Sequence, residues 1–241
     1  DWVVTLPDMM DYLYDNKTKL VAALGILPQM FYDAAITVAG GEVISYVTGI
    51  NMWVSFGLMG FICILYTSLS GLWGLAITDM IQFVIMTVSA GVLCLGVYSY
   101  FDGFGNLFAQ ADAIDHNLVT VFGGNGPMEV AAWLVSAVAI YANAQSYQRF
   151  GSARSAADLK VAYSFIVMFG QFFMAINVMA GMASRVMFPE IAAESSSQAF
   201  WSVVFTILPV GLRGLFVASL IAAVMSTVSA DYLCCGAAVC H

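Results

Sequence analysis

Three groups of oxygen-bearing residues stand in stretches too apolar to accommodate them without a reason. The first is Asp79, in YTSLSGLWGLAITDMIQ at residues 66–82, with no charged residue within ten positions on either side. A charge at membrane depth costs roughly 3 kcal/mol or more on insertion scales and marks ion or solute paths. Gln82, three residues on, shares its helical face. The second group is Ala223, Ser226 and Thr227, spaced i, i+3, i+4, with Ser229 three beyond Ser226. A backbone carbonyl and hydroxyls are hard oxygen donors suited to a small hard cation. The same hydroxyls could instead bond their own i−4 carbonyls or pack against a neighbouring helix, and both readings stand. The third is Asp33, beside Tyr32 near the middle of another apolar run, which faces a solute cavity or pairs with another helix. Asp231, deep in the last run, needs a partner or water. For Asp79, an ion pair with Arg149 and direct ion coordination are compatible, because one carboxylate offers several lone pairs.

The elements that must position these groups follow from composition. The 241 residues are 61% hydrophobic and 9% charged, with a net charge of −8 and a mean hydropathy of +0.89. Soluble domains carry about 25% charged residues, so the solvent of this chain is lipid and the fold class is all-α, a polytopic helical membrane protein. Nothing is basic enough to bind nucleic acid. The five cysteines lie in apolar stretches and read as small hydrophobes, not as a disulfide framework or a metal cluster. His116 and His241 are too isolated to build an enzyme's nucleophile–base or metal constellation, so no enzyme is expected. The absence of an initiator Met and the end inside an apolar helix lead to the expectation of a fragment.

Six membrane spans are predicted: about Lys19–Tyr46 with a kink at Pro28, Met52–Leu69, Gly71–Tyr100, Met128–Phe150, Ala157–Met187, and Gly211 to the end. Phe101–Gly126 reads as a polar loop, and Phe200–Ile207 as a short apolar piece before Pro209. Six alternating spans place Lys17, Lys19, Arg149, Arg154 and Lys160 on one side, and Arg185 and Arg213 on the other. The positive-inside rule makes the first side cytoplasmic. Met86, Phe165, Met168, Phe169, Phe172, Phe173 and Met174 read as lipid-facing or packing groups. Gly40, Gly41, Gly170 and Gly181 read as sites of close helix approach.

Three separated motifs together resemble the sodium:solute symporter family. Tyr66-Thr67-x-x-Ser70-Gly71-Leu72, continuing to Thr78-Asp79-x-x-Gln82, looks like the family's tyrosine–glycine–threonine–aspartate signature. Gln148-Arg149-Phe150 with Ser152-Ala153-Arg154-Ser155 is similar to its glutamine–arginine segment before a cytoplasmic loop. Pro209-Val210-Gly211-Leu212-Arg213-Gly214-Leu215, running into Ala222-Ala223-Val224-Met225-Ser226-Thr227, resembles the start and the sodium-binding stretch of its eighth core helix.

The resemblance implies a LeuT-type fold of two inverted five-helix repeats with binding near the midplane. Residues 1–241 would form one transmembrane transporter domain, a partial bundle of core helices three to eight, with the N-terminal core helices and the C-terminal helices missing. Sodium-coupled symport of a small organic solute across the plasma (inner) membrane is the implied activity, with Na⁺ as coupling ion and no organic cofactor. Its partners are the solute, Na⁺ and membrane lipid. Ala223, through its carbonyl, and Ser226 and Thr227, through their hydroxyls, would form the eighth-helix half of the sodium site. Asp79 with Ser229 and Arg149 would form a second sodium site or an inner gate, and Tyr32, Asp33 and Asn143 would face the solute. The sequence departs from the family at Ser70, where a glycine is usual, and at Ala230, where members with two sodium ions carry a serine. Gly170 and Tyr32 replace the lysine and asparagine of galactose-type carriers, which disfavours a sugar. The alternative function is a solute-sensing module on the same fold, attached to a signalling domain.

Overall fold

The computed structural model describes residues 5–140 and 144–240. Among these it is all α-helical, apart from turns and one 3-10 turn at His116–Val119. Four helical stretches among the described residues are long and apolar enough to cross a membrane: Asn16–Thr48, Met52–Tyr100, Ala156–Met187 and Val210–Ala238. The expected count of six is not reached on length and composition. Two of the expected spans are joined in one helix, and the expected fourth span includes residues 141–143, which lie outside the described residues.

Local chemistry fixes the boundaries. Helix α1 (Leu6–Leu13) opens on a capping box in which Thr5 and Asp8 satisfy each other's backbone N–H groups, at 3.3 and 3.0 Å. Helix α2 (Asn16–Leu24) is capped by Asp15. The Thr18 hydroxyl and backbone N–H both donate to that exposed carboxylate and hold its pKa below the usual range. Lys19 of α2 reaches back to Asp8 at 3.3 Å and to Asp11 at 3.8 Å on α1.

Helix α3 (Ile26–Thr48) begins after Gly25. The break in the first span falls there, three residues before Pro28, because the proline ring would clash with the Leu24 carbonyl four residues back. Gly49, at φ +74°, closes α3 in the left-handed conformation and donates to the Ser45 carbonyl at 2.8 Å. Helix α4 (Met52–Tyr100) has 49 residues. At about 1.5 Å per residue it would run some 70 Å, over twice a ~30 Å hydrocarbon core. It is divided at Gly71, where φ is +57° and ψ −173°, at the boundary expected between the second and third spans.

The expected loop after Tyr100 is instead partly ordered as α5 (Phe104–Ile114), with Leu107 and Ala111 completely buried. Its apolar positions 107, 108, 111 and 114 recur at helical spacing, a signal hidden by the surrounding Gly, Asn and Asp residues. Helices α6 (Pro127–Ile140) and α7 (Ala144–Gly151) fall on the expected fourth span, Met128–Phe150, each passing its end by one residue. Helix α8 (Ala156–Met187) follows the expected fifth span closely. After α9 (Pro189–Glu194) and α10 (Ser196–Ile207), α11 (Val210–Cys240) starts at Pro209, whose carbonyl accepts from Leu212 and Arg213.

The chain divides into two compact units. One comprises residues 1–84, 139–159 and 219–241; the other comprises 85–138 and 160–218. In the first, Met59 and Cys63 of α4 and Val228 of α11 form a buried core, against which Ile36 and Ile44 of α3 pack. A Cβ on Gly41 would stand 2.8 Å from the Phe56 Cα, and one on Gly40 would stand 2.9 Å from Val224 Cγ1. Close approach therefore explains these two glycines, whereas Gly170 and Gly181 have nothing within 4 Å. In the second unit, the Ser89 hydroxyl of α4 donates to the Leu215 carbonyl of α11 at 3.3 Å. The Arg213 Nε donates to the Leu208 carbonyl at 2.6 Å, and its guanidinium lies over the Phe205 ring. Trp73, Met80, Phe165, Met168 and Met174 are among many exposed large apolar residues, the expected surface where lipid is the solvent.

Candidate functional site

The first unit holds every described residue singled out above for its chemistry. On α11, the Ser226 and Thr227 hydroxyls donate to the Ala223 carbonyl at 3.0 and 3.1 Å. These are i−3 and i−4 back-bonds of the kind that Ser and Thr make in membrane helices. They also gather a carbonyl and two hydroxyl oxygens at one point of the helix surface. A hydroxyl proton rotates freely, so both oxygens can turn lone pairs outward without moving the backbone.

Asp79, about two turns beyond Gly71, lies with Oδ2 3.6 Å from Nη2 of Arg149 on α7. Its other oxygen, Oδ1, is buried with no hydrogen-bond partner. A cavity of about 310 Å³ adjoins the pair, lined also by Gln145, Gln148, Ser152, Ala230 and Leu233. Of the neighbours Ser229 and Ala230 on α11, Ala230 lines it beside Asp79, with Leu233 of the same helix, and Ser229 does not. Ser229 is fully buried, and its hydroxyl has no partner. The structure thus brings Asp79 to Arg149 without bringing Ser229 into the lining of their cavity.

Asp33 is 1% exposed, and Tyr32 beside it is 60% exposed, as expected when consecutive residues point about 100° apart on a helix. Asn143 lies outside the described residues. Sequence spacing did not reveal what Asp33 meets. Gln29, one turn before it, donates through Nε2 to Asp33 Oδ1 at 3.3 Å and to Asp231 Oδ2 at 3.1 Å. Asp231 is 3% exposed. Asp231 and Gln29 line a second cavity of about 210 Å³ with Gln145, Cys234 and Cys235. The Asp33–Gln29–Asp231 bridge spans some two hundred residues of sequence, so no local periodicity could announce it. The signal that was available was the cost of Asp231 itself in an apolar helix.

Comparison with known proteins accords with these features. The profile of the sodium:solute symporter family matches residues 2–241. Similar proteins include the osmoregulated proline transporter OpuE of Bacillus subtilis, 22% identical over 99% of this chain and 50% of the relative. The sodium/mannose cotransporter SLC5A10 of Bos taurus is 26% identical over 95% of this chain and 45% of the relative. The sodium/pantothenate symporter of Haemophilus influenzae is 24% identical over 95% and 48%. This chain spans about half the length of these relatives. No solved structure matches it. With carboxylates set in apolar helices, a clustered carbonyl and hydroxyls on its last helix, and a family profile that covers it almost from end to end, the chain belongs to the sodium:solute symporter family.

Proposed function

We propose that the protein containing this chain is a secondary active transporter that couples sodium entry to uptake of a small organic solute. The observation that carries this reading is the convergence of the Ala223 carbonyl with the Ser226 and Thr227 hydroxyls on α11, in a chain of this family. Hard neutral oxygens suit Na⁺, which exchanges readily because no charged ligand holds it. The family resemblance assigns the remaining ligands to a core helix that these 241 residues do not include, within a LeuT-type bundle.

Bound Na⁺ would tie that helix to α11 and favour the state that accepts solute from outside; its release inside would loosen the pair and free the solute. A membrane potential of 100 mV supplies about 2.3 kcal/mol per charge, enough for roughly fifty-fold accumulation at one Na⁺ per cycle. Asp79 and Arg149 serve as an inner gate or second ion site, and Tyr32 and Asn143 serve the solute path. The membrane is the plasma membrane, with Lys17, Lys19 and the Arg149–Lys160 segment on the cytoplasmic side. The relatives named above are carriers, and nothing favours the sensor reading. The test is solute uptake by the full-length protein in proteoliposomes against external Na⁺. Ser226→Ala with Thr227→Ala is expected to abolish the sodium dependence, and an unchanged dependence would overturn the assignment.

A further inference from the structure

Asp33 and Asp231 present an unresolved charge. Both carboxylates are almost completely buried. A single carboxamide nitrogen, Nε2 of Gln29, serves both, giving one oxygen of each a donor. Asp33 Oδ2 is buried with no partner at all. Two carboxylates this close together and this deep are expensive unless a shared proton or a cation neutralises them. Asp79 differs, because Arg149 offsets its charge at 3.6 Å. Among the described residues, no guanidinium or ammonium group is paired with Asp33 or Asp231.

The donor set selects the cation. Carboxylate oxygens are hard ligands. Among the described residues, no group of three or more His, Cys, Asp or Glu side chains is placed to hold a metal, so nothing here builds a tight transition-metal or multi-carboxylate divalent site. Position selects it further. Asp231 is four residues beyond Thr227 on α11, hence on the same face and about 6 Å along the axis. It continues the i+4 row that runs from Ala223 through Thr227. The adjoining cavity, lined by Asp231, Gln29 and Gln145, has room for water to complete a coordination shell.

We propose that Asp33 and Asp231 hold a sodium ion, one helical turn beyond Thr227 toward the C-terminal end of α11, at a site separate from both the hydroxyl cluster and Asp79. The inference rests on the reading of the protein as a sodium-coupled carrier. Gln29 spaces the two carboxylates and keeps one oxygen of each engaged, leaving the others for the ion. Ala230 gives the Asp79 cavity no side-chain oxygen from α11, and the adjacent residue supplies a carboxylate to this site instead.

The test is equilibrium binding of radioactive sodium to the purified full-length protein. Asp33→Asn with Asp231→Asn preserves side-chain size and is expected to bind one sodium fewer per chain than the wild type. The single variants, each keeping one carboxylate, are expected to bind that sodium at least tenfold more weakly, and they serve if the double variant does not fold. An unchanged sodium count and affinity in these variants would overturn the site. Ser226→Ala with Thr227→Ala is measured in parallel. If it alone retains the wild-type sodium count, the hydroxyl-cluster reading fails while the carboxylate site stands.

Discussion

Oδ2 of Asp79 faces Nη2 of Arg149 at 3.6 Å, while the Oδ1 of the same carboxylate is buried without a partner. The contact is long for a hydrogen bond, and the Arg149 side chain is 55% exposed. A pair of this kind contributes about 1 kcal/mol or less to stability. Asp79→Asn is therefore expected to leave thermal unfolding of the full-length protein nearly unchanged. If the free oxygen serves an ion, the same variant should lower sodium-driven uptake at least tenfold. Exchanging the charges, Asp79→Arg with Arg149→Asp, should keep the fold and not restore transport. Full recovery of uptake in the exchanged protein would make the pair purely structural.

Gly71 divides α4 with a φ of +57° and a ψ of −173°, a combination open essentially to glycine alone. A Cβ there would meet nothing within 4 Å, so any cost of substitution is conformational, not steric. Gly71→Ala is expected to destabilise by about 1–3 kcal/mol, seen as a lower melting temperature. A variant as stable as the wild type would show that the break does not need glycine.

Gly41 poses the opposite problem. The added carbon would stand 2.8 and 2.9 Å from backbone atoms of Phe56, and backbone cannot swing aside. Gly41→Ala should push α3 from α4 and cost about 1–3 kcal/mol. Gly170→Ala, at a position with open space, should be neutral or slightly stabilising because alanine favours helix. Comparing the two melting temperatures checks the assignment of close approach.

Leu107 is completely buried in α5, inside the segment expected to be loop. Leu107→Ala should cost about 2–5 kcal/mol, as large-to-small changes at packed sites do. Limited proteolysis should show faster cleavage between Tyr100 and Gly126. Resistance equal to the wild type would mean that α5 contributes little to its unit.

What the sequence made legible, and what it did not, divides by range. The long apolar runs ending at Thr48, Tyr100 and Met187 were readable because hydrophobic length and glycine or proline punctuation act locally. The Ser226–Thr227 cluster was readable because i, i+3 and i+4 spacing alone brings it to Ala223. Helix α5 was obscured by its polar surroundings, and its period appears only when Leu107, Phe108, Ala111 and Ile114 are counted separately. The Gln29 bridge between Asp33 and Asp231 was not legible, because it depends on how α3 packs against α11. The placement of Ala230, not Ser229, beside Asp79 depends on the rotation of α11, and a one-residue ambiguity in helix phase is enough to hide it.

Thr227 allows the sodium reading to be separated from simple helix packing. Its hydroxyl donates to the Ala223 carbonyl at 3.1 Å, and such an i−4 back-bond within one helix does little to stabilise it. Thr227→Val keeps the shape and removes the oxygen, so its effect on folding should be small. If the hydroxyl is a sodium ligand, half-maximal uptake should require at least tenfold more Na⁺. Thr227→Ser, which restores the oxygen without the methyl group, should return the sodium requirement to near the wild-type level. A valine variant with the wild-type sodium requirement would leave the hydroxyl as a back-bond only. The two substitutions bracket the oxygen from both sides, one keeping volume and the other keeping chemistry, so a response that follows the oxygen cannot be attributed to packing.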